Sequence, residues 1–79
     1  MQIKLFGISR EIVGNNDLFI PESENIKTVT QLKTWLNQKY PAMQLLKSFA
    51  VAVDNEYADD GQGLSDTNEV AILPPVSGG

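Results

Sequence analysis

The stretch Thr28–Pro41, TVTQLKTWLNQKYP, decides the fold of this chain. Val29, Leu32, Leu36 and Tyr40 recur at helical spacing, and Trp35 widens the apolar stripe. A helix patterned this way buries one face. Thr28 stands at the N-cap position, and Gln31 completes a Thr-x-x-Gln capping box. Pro41 disfavours helical geometry at Tyr40 and so ends the segment. A single helix must lay its apolar face on a second layer, and the flanking sequence alternates in the manner of strands.

Before the helix, QIKLFGI at Gln2–Ile8 puts Ile3 and Leu5 on one face and Gln2, Lys4 and Phe6 on the other. Ser9 is placed to cap one helical turn through Ile12 and Val13, stopped by Gly14. Asn15-Asn16-Asp17 is turn chemistry, and DLFIP at Asp17–Pro21 reads as a short strand. Glu22–Lys27 reads as a polar loop. After the helix, Met43–Lys47 is expected to add a short turn. FAVAVDNEYA then holds a strand with Val51 and Val53 inward, Ala50 and Ala52 outward, and a turn at Asp54-Asn55. A brief extended piece follows around Tyr57 and a Gly/Asp/Ser-rich loop after it. EVAILPP closes the pattern, with Val70 and Ile72 on one face and Ala71 and Leu73 on the other.

The order β-β-α-β-β-β with one principal helix predicts an α+β roll of the ubiquitin-like, β-grasp kind. Residues 1–73 form the domain, with the first and last strands adjacent at the sheet centre, and residues 74–79 form an extended tail. Ile3, Leu5, Val51, Val53, Val70 and Ile72 are expected to face the helix. Phe6 and Leu73 then meet on the opposite side of the sheet, where a contiguous apolar cluster marks a partner surface. Closure of the loop after Tyr57 over that cluster is the competing expectation.

Composition narrows the chemistry. The chain has 79 residues, no cysteine, no histidine and a formal charge of −4. Without cysteine there is no disulfide, thiolate nucleophile or zinc–thiolate site. Without histidine no side chain titrates near neutrality unless strongly perturbed. The six basic residues are scattered, with Lys33 and Lys39 read as a solvated helix face, which argues against nucleic acid as a partner. No apolar run approaches a membrane span and no signal region opens the chain, so a soluble cytoplasmic protein is expected. Asp59, Asp60, Asp66 and Glu69 match no calcium-loop spacing and read as a solvated connection, so no metal site is expected. Gly61-Gln62-Gly63 is too short for a phosphate-binding fingerprint.

What is left is the tail, PPVSGG at Pro74–Gly79. Pro74 and Pro75 fix two φ angles and hold the chain extended. Val76 and Ser77 are small, and Gly78 and Gly79 permit close approach of another backbone to the terminal carboxylate. The six residues reach about 20 Å when extended. Such a tail is suited to enter another protein's active site.

EVAILPPVSGG at Glu69–Gly79, with FGISREIVG at Phe6–Gly14 and AVAVDNEY at Ala50–Tyr57, resembles the small sulfur-carrying subunits of molybdopterin synthase, the MoaD-like family. The resemblance spans the chain, and its most specific part is the Pro-Pro-Val-Ser-Gly-Gly end. It implies that Gly79 is adenylated with ATP by a ubiquitin-activating-like adenylyltransferase and converted to a thiocarboxylate with sulfur from a donor protein. The sulfur then passes to cyclic pyranopterin monophosphate inside the large subunit of the synthase. Gly78 is the slender neighbour of the acceptor, and Pro74, Pro75, Val76 and Ser77 accompany it into the partner. Phe6, Tyr57 and Leu73 match family positions that dock partner proteins. The chain is then no enzyme alone, binds no cofactor itself, and assembles as a heterotetramer with the large subunit.

One departure is visible. The family has Gly-Asp before Glu-Val, whereas Asp66-Thr67-Asn68 precedes Glu69 here. Asn68 is expected to re-form the turn because Asn tolerates left-handed backbone. Three other readings remain open for the tail: a carrier for thiamine synthesis or tRNA thiolation, a ubiquitin-like modifier joined to lysines, and a binding module whose glycines are incidental.

Overall fold

The computed structural model describes residues 1–45 and 49–73. Strand β1 (Gln2–Leu5), helix α1 (Ile8–Val13) and strand β2 (Asp17–Phe19) lead to the principal helix α2 (Val29–Lys39). Strands β3 (Ala50–Val53), β4 (Glu56–Tyr57) and β5 (Val70–Leu73) follow, with 3-10 turns at Glu22–Glu24 and Pro41–Leu45. The sheet order is β2-β1-β5-β3-β4. The first and last strands are therefore central neighbours and run parallel, with Ile3 opposite Val70 and Leu5 opposite Ile72. This is the ubiquitin-like β-grasp arrangement that the sequence predicts.

The six inward strand residues, Ile3, Leu5, Val51, Val53, Val70 and Ile72, are all buried, together with Val29, Leu32 and Leu36 of α2. Removing that apolar surface from water contributes about 1.5–3 kcal/mol per large side chain. Tyr40, the last residue of the stripe, only packs on the rim of the core with Trp35. Trp35 directs its indole Nε1 to Glu24 at 2.6 Å.

The start of α2 is closed by two devices. Gln31 donates its backbone N–H to the Thr28 hydroxyl at 3.2 Å, while the Gln31 side-chain oxygen accepts from Lys27, one residue before the cap, at 2.7 Å. The first two helical N–H groups find partners far along the chain: Val29 donates to the Gln62 carbonyl and Thr30 to that of Asp60, each at 3.0 Å. Helix starts leave such donors orphaned, so the loop after β4 serves as a long-range cap. Lys33 reinforces it through an ion pair with Asp60 at 2.8 Å and lies 5.9 Å from the Phe49 ring centre. Lys33 is thus held in place, not part of a free solvated face.

Several local expectations need correction. The first strand ends at Leu5, not Ile8, because Gly7 at φ 60° turns the chain into α1. Gly7 occupies the N-cap position. Ser9 lies inside the helix, buried, with its hydroxyl donating to the Phe6 carbonyl at 2.7 Å. Gly14 does end the helix, in the left-handed region at φ 86°. The second strand stops at Phe19, with Pro21 opening a 3-10 turn. The segment read as a polar loop contains Ile26, which is a core residue, as are Leu64 and Met43. The short turn expected over Met43–Lys47 begins earlier, at Pro41, and Lys47 lies outside the described residues.

Candidate functional site

The pairing registers line up the outer face of the sheet residue by residue. Asp17, Lys4, Ala71, Ala52 and Tyr57 form one row across all five strands. In the next row Leu73 pairs with Ala50, and Phe6 continues β1 beside Leu73, donating its backbone N–H to the Ile72 carbonyl at 3.3 Å. Phe6 is 46% exposed and Tyr57 72% exposed, with Leu73 half-buried between small alanines. The expected meeting of Phe6 and Leu73 away from the helix is what the geometry shows, and Tyr57 joins the same face. The loop after Tyr57 does not close over it: its backbone is committed to the start of α2, on the other side of the sheet.

Phe19 is a residue that the sequence reading passed over. It pairs with Gln2 at the far corner of the same face and is 67% exposed. The alternation in DLFIP carried the signal, because Leu18 and Ile20 facing inward leaves Phe19 outward.

The turn between β3 and β4 is built on Asp54 and Asn55, both in the left-handed region at φ 52° and 70°. This geometry suits a tight hairpin. The Asp54 carboxylate also fixes the approach to β5, accepting from the Glu69 backbone N–H and the Asn68 side-chain amide, each at 2.8 Å. Asn68 re-forms the departing turn as expected but by another route. Its side-chain oxygen accepts from Ser65 N–H at 2.8 Å, and it does not adopt left-handed backbone.

Of the acidic residues singled out in the sequence, Asp60, Asp66 and Glu69 have separate partners. Asp60 pairs with Lys33, and Asp66 lies 3.6 Å from the Met1 amino group. Glu69 and Asp54 meet only through a backbone N–H. Glu22 and Asp66 border a cleft of about 350 Å³ with Met1 and Lys27. A hydrogen bond with Asp66, and then its like charge, raises the Glu22 carboxyl above its ordinary value. The same hydrogen bond lowers Asp66. The two carboxyls therefore favour sharing one proton. Both are solvent-exposed, and the cleft adjoins none of Phe6, Tyr57 or Leu73.

Pro74, Pro75, Val76, Ser77, Gly78 and Gly79 lie outside the described residues. Among the described residues, no helix is long and apolar enough to cross a membrane. β5 ends at Leu73, beside Phe6 on the outer face of the sheet.

A five-stranded mixed sheet, one long helix across its inner face and an aromatic outer face define a small ubiquitin-like β-grasp domain. The chain belongs to the ThiS family, which it matches over residues 3–79. It is 36% identical to the molybdopterin synthase sulfur carrier subunit of Chlamydomonas reinhardtii, the alignment covering 100% of both chains. Identity to the protein of the same name from Caenorhabditis elegans is 35%, over 100% of this chain and 96% of the relative. The solution structure of small archaeal modifier protein 1 from Methanosarcina acetivorans superposes with a TM-score of 0.73 at 28% identity, covering 99% of this chain and 94% of that one.

Proposed function

We propose that this protein is the sulfur carrier subunit of molybdopterin synthase and carries its sulfur as a thiocarboxylate on Gly79. The observation that carries this reading is full-length kinship with proteins of that name, in a chain that carries the sequence Pro-Pro-Val-Ser-Gly-Gly at residues 74–79. The outer face that carries exposed Phe6 and Tyr57 and half-buried Leu73, the last described residue, supports the same reading.

The chemistry needs no side chain of this protein. A free carboxylate is a poor acyl electrophile. Attack by the Gly79 carboxylate on the α-phosphate of ATP, in a partner adenylyltransferase, displaces pyrophosphate and leaves an acyl-adenylate. Sulfide supplied through a donor protein attacks the carbonyl carbon, AMP departs, and the sulfur remains on Gly79. This is covalent activation of a carrier atom. In the large subunit the thiocarboxylate sulfur bonds to cyclic pyranopterin monophosphate, and water hydrolyses the resulting thioester, leaving the sulfur on the pterin and returning Gly79 to a carboxylate. Phe6, Tyr57 and Leu73 dock the domain, and Pro74 and Pro75 stiffen the path of Val76, Ser77 and Gly78 into the partner site. The chain is a non-catalytic carrier. The sulfurtransferase is the complex, in the cytoplasm, with two small and two large subunits.

Intact-mass measurement after incubation with the activating enzyme, ATP and a sulfur source tests this. A gain of about 16 Da, oxygen replaced by sulfur, is expected on the full chain and lost on deletion of Gly79. An unchanged mass with a demonstrably active partner enzyme overturns the carrier reading. Addition of the large subunit and the pterin precursor then separates molybdopterin synthesis from other sulfur-requiring pathways.

The likeness to small archaeal modifier protein 1 favours a second reading, a modifier whose Gly79 carboxyl forms an amide with lysines. A covalent ladder on cellular proteins, absent after deletion of Gly79, distinguishes it.

A further inference from the structure

Lys4, Leu5, Phe6, Arg10, Asn16 and Asp17 line one open concavity of about 350 Å³. The fold brings two cations to it from different elements. Lys4 lies on the outer face of β1, in register with Asp17 and Ala71. The bend at Gly7 turns the chain into α1 and carries Arg10 to the same concavity, which the exposed Phe6 also lines. The ion pairs among the described residues are Met1 with Asp66 and Lys33 with Asp60, so neither Lys4 nor Arg10 has a carboxylate of the described residues within 4 Å. Asp17, cross-strand from Lys4, is the one acidic group at the concavity, leaving a surplus of one positive charge on a chain of net −4. No side-chain hydrogen bond ties either cation into the fold among the described residues.

Unpaired charges at the rim of an apolar patch fit a polar border that sets register and encounter rate. We infer that Lys4 and Arg10 are a carboxylate-recognition point: the partner protein that covers Phe6 brings an Asp or Glu side chain into this concavity. This rests on the docking reading of the Phe6 face and adds the chemistry its partner must present. Arg10 supplies a planar fork suited to a carboxylate, and Lys4 supplies a mobile point charge. Asp17 opposes the incoming carboxylate and limits binding by any anion that lacks the apolar contact.

Association and dissociation rates of the full chain with the large synthase subunit test this. Reversal of both charges, Lys4→Glu with Arg10→Glu, is expected to slow association at least about tenfold at low salt, with a smaller effect on dissociation. The difference from the unaltered chain should shrink as salt shortens the screening length to about 3 Å near 1 M. Lys4→Gln with Arg10→Gln should act in the same direction, more weakly, should charge reversal perturb the fold. Asp17→Asn should speed association about twofold. Phe6→Asp, by contrast, should mainly accelerate dissociation. Unaltered association and salt dependence in both double variants, alongside weakened binding by Phe6→Asp, overturns the inference and leaves the docking face intact. Failure of the unaltered chain to bind overturns both.

Discussion

The backbone N–H of Phe6 donates to the carbonyl of Ile72 at 3.3 Å. This bond fixes the exposed ring to the strand that delivers the chain to Leu73. The Phe6 carbonyl is held in turn by the buried Ser9 hydroxyl at 2.7 Å. Backbone on both sides of the residue is thereby anchored, while the ring stays outside the core. The exposed ring and the end of β5 are thereby tied together through the backbone.

Phe6→Asp and Tyr57→Ser should therefore leave the fold nearly unchanged and weaken partner binding. Substitutions at exposed positions ordinarily shift stability by no more than about 0.5 kcal/mol. Truncating an interface aromatic costs about 2 kcal/mol or more, roughly thirtyfold in affinity. Thermal unfolding and titration with the large subunit check both halves. Gross unfolding of Phe6→Asp would place that ring in the core, against the strand-face assignment.

The start of α2 gives a stability prediction. Thr28→Ala removes the hydroxyl that accepts from Gln31, and an N-cap loss of this type costs about 1 kcal/mol. The capping carbonyls of Asp60 and Gln62 remain, so the loss should stay near that value, short of unfolding the helix. Denaturant unfolding measures it. A cost above about 3 kcal/mol would mean that the long-range cap fails when the local one is removed.

The Glu22–Asp66 pair predicts a dependence on pH. Raised Glu22 contributes stability that is full below its ordinary 4.5 and is lost as pH rises through its folded value. Lowered Asp66 contributes above its ordinary 3.8 and loses that contribution as pH falls through its folded value. The pair is thus best satisfied with one proton, in the acidic window between the two folded values. Glu22→Gln keeps a donor for Asp66 at every pH and removes the like charge. Its unfolding temperature should vary less than that of the unaltered chain as pH rises above the ordinary Glu value of 4.5. Parallel curves for the two proteins would rule out a shared proton.

The residues that were legible in the sequence are those in periodic company. The α2 stripe and the inward strand residues each repeat along a run, so the helix, strand order and core faces could be read directly. Ile26 and Leu64 could not, since each is a single apolar residue in a polar segment and has no period to reveal it. Both belong to segments joined across the chain, where Leu64 donates its backbone N–H to the Lys27 carbonyl at 2.8 Å. Ser9 misled for a related reason. Its type favours a cap, but Gly7 reached a backbone geometry at φ 60° that is costly for other residues, and the helix began two residues earlier. Tyr57 was reached through family resemblance alone, because a two-residue strand carries no alternation from which to infer its face. The same holds for the concavity beside Phe6: Lys4 and Arg10 lie on different elements, and only the bend at Gly7 unites them.

The parallel contact between β1 and β5 has a consequence for timing. The strand that completes the sheet is the last in the chain, yet it must lie between β1 and β3. Contacts joining residues so far apart in sequence close a large loop and slow folding. Until Val70–Leu73 seats itself, the sheet has a gap at its centre and Phe6 lacks its Ile72 partner. A copy in which β5 has not seated thus lacks the completed face of Phe6 and Leu73. Completion of the sheet and completion of that face are therefore a single event.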